Sequence, residues 1–110
     1  PAVVLSGGET TVTVRGDGDG GPNQEFALSA AIELADEDVV VASVDTDGSD
    51  GATDAAGAIV DSATISSRAA ARDALGRNDA YTYLQDRNAL VVTGPSGTNV
   101  NDLRIVVVGE

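Results

Sequence analysis

Apolar and polar positions along the chain fall into short segments with two different periods. The runs at 3–5 and 11–15 are β-branched and flank Ser6-Gly7-Gly8-Glu9, a pattern that predicts strand, tight turn and strand. After the glycine-rich stretch 16–21, Pro22 and Asn23 open a run in which Phe26, Ala27, Ala30, Ala31 and Leu34 recur at helical spacing, predicting a helix with one buried face. The unbroken apolar run 39–44 predicts a strand buried on both faces. Asp54 then reads as the cap of a short helical turn through Ala55 and Ala56, followed by a strand at 58–60. Ser66 or Ser67 caps a helix that runs to about Leu75 and stops at Gly76, and a second helix starts after Asn78 and carries Tyr81 and Leu84. Strands at 90–93 and 103–108 close the pattern around a loop at 94–101. Strands alternating with helices imply an α/β class, a layered domain with a mixed β-sheet flanked by helices, and the whole of 1–110 reads as one domain.

Composition changes this picture in three ways. Phe26, Tyr81 and Tyr83 are the only aromatic residues, and Met and Trp are absent, so small aliphatic side chains must fill the core. Against 18 acidic residues stand 6 basic ones, all arginine, for a net charge of −12. Such a surface repels itself in dilute salt and is screened in concentrated salt, which points to a salt-adapted protein of a high-salt cytoplasm and away from nucleic-acid backbones. With no Cys, His or Lys, the chain has no thiol nucleophile, no Ser/His/Asp triad, no ordinary zinc site, no Schiff-base lysine and no Walker A loop of its own. No apolar run approaches the length of a membrane span.

Four polar, glycine-rich loops are left over from packing: 6–10, 16–25, 45–54 and 93–102. Gly7 and Gly8 can bring backbone N–H groups to an anion, with Thr10 adding a hydroxyl; a plain hairpin turn is the competing reading. Asn23 and Gln24 stand at a helix N-terminus, where free N–H groups attract carboxylate or phosphate, as ordinary capping also would. The acidic loop fails the EF-hand template, because Asp50 stands where the glycine at the sixth position belongs. Its four carboxylates in ten residues, Asp45, Asp47, Asp50 and Asp54, still suit a magnesium ion held with waters between; solvated turns are the alternative. The stretch 16–21 has Asn23 where a dinucleotide fingerprint needs its third glycine, and 93–102 leads into a strand instead of a helix.

In series, LSGGETTVTVRG, GGPNQEFALSAA, DTDGSDGATDAAGAIVD, NDAYTYL and TGPSGTNVNDLRIVVVG resemble the C-terminal (MOFRL) domain of type-2 glycerate kinases, over nearly all of the chain. The resemblance implies the C-terminal part of a two-domain enzyme that transfers phosphate from ATP, with Mg²⁺, to D-glycerate to give 2-phosphoglycerate. It places the active site between this domain and an N-terminal α/β domain that supplies a catalytic lysine. It also implies that Gly7, Gly8, Glu9, Thr10, Asn23, Gln24, Thr98, Asn99 and Asn101 line the substrate side, with Asp45, Asp47 and Asp50 near the metal. Many relatives have arginine where this chain has Pro22, which leaves Arg15 and Arg104 as candidate replacements. Competing readings are an oxidoreductase part, since some relatives are labelled hydroxypyruvate reductase, and a noncatalytic docking or dimerisation module.

Overall fold

A computed structural model describes residues 2–8, 16, 18–34, 37–98 and 101–109. The strands are β1 (Ala2–Gly7), β2 (Val39–Asp45), β3 (Gly57–Val60), β4 (Leu90–Val91) and β5 (Asp102–Val108), and the helices are α1 (Pro22–Glu33), α2 (Arg68–Gly76) and α3 (Ala80–Asp86). The strands form one sheet in the order β1-β5-β2-β3-β4. Every pairing among the described residues is antiparallel, with Val41 opposite Val106 and Val60, and Val4 opposite Val106. The α/β layering expected from the sequence is present. The strand expected at 11–15 lies outside the described residues.

One helical layer packs on one face of the sheet. Seven of the twelve residues in the buried cluster are alanines, among them Ala27, Ala31, Ala58 and Ala71, so α1 can lie close to β2 and β3 while Leu28, Ile32, Val41, Val60 and Leu84 fill the remaining volume. The opposite face, set by strand alternation, carries Val3, Leu5, Val40, Ile59 and Val107, all exposed; Leu5 is 67% exposed. The expectation that β2 is buried on both faces is therefore corrected: Val41 and Ser43 are buried while Val40 is 39% exposed, because the helices cover a single side.

Local chemistry explains most of the helix boundaries. Ser67 caps α2 by accepting the Ala70 N–H at 3.3 Å, and Asn78 and Asn88 take left-handed backbone (φ 55° and 56°) in the turns after α2 and α3. The helical turn expected after Asp54 does not form. Ala56 instead donates its N–H to the Val91 carbonyl and accepts from the Asp45 N–H, which draws the segment into the sheet, while Asp54 accepts from the Tyr81 hydroxyl at 2.7 Å.

Candidate functional site

One end of the sheet gathers three of the four polar loops. β1 ends at Gly7 and β2 at Asp45, while β5 starts at Asp102, so the register sets Gly7 opposite Leu103 and Asp45 opposite Asp102. Gly8 donates its N–H to the Asp102 carbonyl, which ties the first loop to β5. The 45–54 and 93–101 loops are stitched together by Thr46, whose N–H and hydroxyl both donate to the Asn101 carbonyl at 3.1 and 2.7 Å. Ser96 adds a second stitch, donating its N–H to the Asp47 carbonyl and its hydroxyl to the Thr46 carbonyl. Gly48 (φ 90°) lies so near the Gly94 carbonyl that a Cβ there would overlap it, so the two loops can approach this closely only with glycine.

Beneath this surface, α1 has a cap that is remote in sequence. Gly21 has no side chain to offer, and Pro22 removes one of the free N–H groups. Asp50 supplies the acceptors: Oδ1 takes the Asn23 N–H and Nδ2 at 3.0 Å, and Oδ2 takes the Gln24 N–H at 2.8 Å. A carboxylate here also complements the positive end of the helix dipole. Asn23 Oδ1 in turn accepts from the Ser43 hydroxyl at 2.7 Å, and Gln24 Nε2 donates to Thr53 Oγ1 at 2.9 Å. Asp50, Asn23, Gln24 and Ser43 are all at most 1% exposed, so this network fastens the acidic loop to helix and sheet together.

The electrostatics separate the acids of this loop. Asp45 has its carboxyl raised above the usual 3.8, first by desolvation and then by a side-chain hydrogen bond with Asp47 and the like charges of Asp47 and Asp102, with the hydrogen bond from the Asp47 backbone N–H opposing. Asp47 accepts the Ser49 N–H at 2.8 Å, which holds the turn. Among the described residues, no three acidic side chains converge on one point. On β5, Arg104 is 9% exposed, with Nη2 donating to the Gly7 carbonyl at 3.2 Å and its guanidinium 5.5 Å from the Phe26 ring centre.

The structure thus brings Gly7, Gly8, Asp45, Asp47, Thr98 and Asn101 to one end of the molecule. Asn23, Gln24 and Asp50 lie behind them, joined by their mutual hydrogen bonds but with Gln24 Oε1 buried and unpartnered, and Glu9, Thr10 and Asn99 lie outside the described residues. The 16–21 loop turns elsewhere: Gly18 donates to the Arg77 carbonyl, Gly16 to Asn78 Oδ1 and Asp19 to Asp79 Oδ1, which packs it over the α2–α3 junction. Sequence reasoning missed Ser43 and Ser96. Ser96 carried a faint signal, a hydroxyl between glycines in a loop, whereas Ser43 in an apolar strand carried none.

An antiparallel sheet with one helical layer and a polar, glycine-built loop end defines a small α/β domain. The chain belongs to the MOFRL family, whose model matches residues 2–102. It is 54% identical over 110 residues to a D-glycerate 2-kinase from Thermotoga maritima, covering 96% of this chain and 26% of that protein. It is 47% identical over 113 residues to a glycerate 2-kinase from Pyrococcus horikoshii, again covering 26% of the relative. The crystal structure of glycerate kinase from Thermotoga maritima superposes with a TM-score of 0.94 at 51% identity, over 99% of this chain and 28% of that one. The chain therefore spans about a quarter of the length of these relatives.

Proposed function

We propose that this chain forms one wall of the active site of a glycerate 2-kinase, which moves the terminal phosphoryl group of ATP to the 2-hydroxyl of D-glycerate. The observation that carries the reading is the convergence of Gly7–Gly8, Asp45–Asp47, Thr98 and Asn101 at one sheet end, in a chain that matches glycerate 2-kinases over nearly its whole length. Phosphoryl transfer depends mainly on alignment and charge neutralisation, and a wall of rigid loops supplies alignment. Gly7 and Gly8 would line the cleft, while Thr98 and Asn101 would meet substrate hydroxyls. Asn23, Gln24 and Asp50 position the loop from below.

Asp45 and Asp47 fit Mg²⁺ as a partial ligand set, since that ion is commonly held by one or two carboxylates with waters and phosphate oxygens completing its shell. When bound, Mg²⁺ would neutralise charge on the migrating phosphoryl group. The rest of the polypeptide, an N-terminal α/β domain, would supply the lysine that this chain lacks and cover the open apolar sheet face, since the chain accounts for only about a quarter of its relatives. A high-salt cytoplasm fits the charge of −12, and no described helix is long and apolar enough to cross a membrane.

The test is direct. The full-length polypeptide should form 2-phosphoglycerate from ATP and D-glycerate without a nicotinamide cofactor, and Asp47→Asn should lower turnover with the fold intact. NADH-dependent reduction of hydroxypyruvate without phosphorylation would replace this reading with the oxidoreductase one.

A further inference from the structure

We infer that Arg104 is an anion-binding residue of this site, its guanidinium taking a carboxylate or phosphoryl oxygen of a small substrate. The identity of the anion rests on the glycerate-kinase reading; the existence of the site does not.

Arg104 is nine-tenths buried on the helix-facing side of β5, opposite Ser6 on β1 and Ser43 on β2. Nη2 donates to the Gly7 carbonyl and reaches Ser6 Oγ at 3.5 Å, and the Phe26 ring lies 5.5 Å from the guanidinium carbon. These contacts solvate half of the fork. Nη1 is buried and makes no hydrogen bond. Among the described residues no carboxylate pairs with Arg104, although the chain carries 18 acidic residues. The exposed Arg77, by contrast, pairs with Asp73 at 2.9 Å and Asp79 at 3.4 Å.

A guanidinium cannot escape burial by losing its proton, so a buried, unpaired donor on it is held at a free-energy cost unless an acceptor arrives. A purely structural staple between β5 and the end of β1 would need only Nη2. The fork geometry of arginine matches two oxygens of a carboxylate or a phosphoryl group, and at the neighbouring Gly8 the backbone carries no side chain and faces open space. Through Ser43, which donates to Asn23, Arg104 is also contiguous with the network that fixes the acidic loop.

The full-length polypeptide carrying this chain is the material for the test. In steady-state assays Arg104→Met should raise one substrate KM by about tenfold or more, the usual scale for a lost charge-assisted hydrogen bond. A rise confined to D-glycerate identifies the carboxylate as the ligand, and a rise confined to ATP identifies a phosphoryl group. Arg104→Lys should recover part of the loss. A folded Arg104→Met protein with kcat and both KM values within about twofold of wild type overturns the inference. Should that variant not fold, wild-type hydrogen exchange decides: inorganic phosphate or D-glycerate, added at constant ionic strength, should slow exchange in 2–8 and 102–108. No slowing with either anion overturns the inference. If the polypeptide phosphorylates nothing, the kinase reading fails while the exchange measurement still tests Arg104.

Discussion

Asp45, Asp47 and Asp50 lie within one acidic loop, yet their surroundings assign them different work. Asp50 has both carboxylate oxygens committed to α1, so Asp50→Ala removes three acceptor contacts and leaves the Asn23 and Gln24 N–H groups buried without partners. The expected loss is roughly 3 kcal/mol of stability, read as the denaturation midpoint at unchanged m-value. Asp45 behaves in the opposite sense. Its carboxyl is raised above 3.8 mainly by desolvation, so the folded state holds that proton more tightly than the unfolded chain does. The linked penalty is absent below the unfolded value, appears as pH climbs through the window up to the raised folded value, and is full at neutral pH. Asp45→Asn should therefore raise the unfolding midpoint at neutral pH, and the gain should vanish in acid below 3.8. A gain that persists unchanged in acid would mean that desolvation of the charge is not its source.

At the scale of elements, legibility followed locality. α2 could be read from sequence because its cap is Ser67, in place beside the helix it caps, and Ser67→Ala should cost about 1 kcal/mol in thermal unfolding without changing catalysis. α1 could be placed from its periodicity, but the residue that caps it is Asp50, which no local rule connects to Pro22 or Asn23. The short turn after Asp54 was misread for the same reason. Its helix-favouring Asp-Ala-Ala sequence is overruled by backbone bonds from Ala56 to Val91 and Asp45, partners fixed by sheet register. The one-sided burial of β2 was hidden too, because a continuous apolar run does not tell whether a second layer exists. The four loops were legible as loops. That three converge while the 16–21 loop packs over the α2–α3 junction depends on strand order, which spacing does not encode. β3 supplies a sheet-level test: a Cβ on Gly57 would overlap the Ser43 carbonyl, so Gly57→Ala should separate β2 from β3 and sharply speed amide exchange at 41–44 and 57–60.

For the whole molecule, charge and core act against each other. A cluster in which seven of twelve residues are alanine contributes less apolar burial than one built from larger side chains, while the net charge of −12 opposes the compact state. The ion pairs of Arg77 offset little of this repulsion, because Arg77 and Asp73 are both more than half exposed. Stability should then depend on how far the acids sense one another. That distance is about 10 Å in 0.1 M salt and about 3 Å in 1 M salt, so most of the gain should arrive by about 1 M KCl and then level off. Sulfate would also strengthen apolar burial, and its effect should continue to grow after that of KCl has flattened. The charge origin can be isolated by neutralising exposed acids far from the loop end, such as Glu33, Glu37 and Asp86 changed to their amides. That triple variant should unfold at a higher temperature in dilute buffer and gain less from KCl than the wild type. A melting temperature that ignores KCl, or a triple variant with an unchanged salt slope, would show that acidic self-repulsion does not limit this fold.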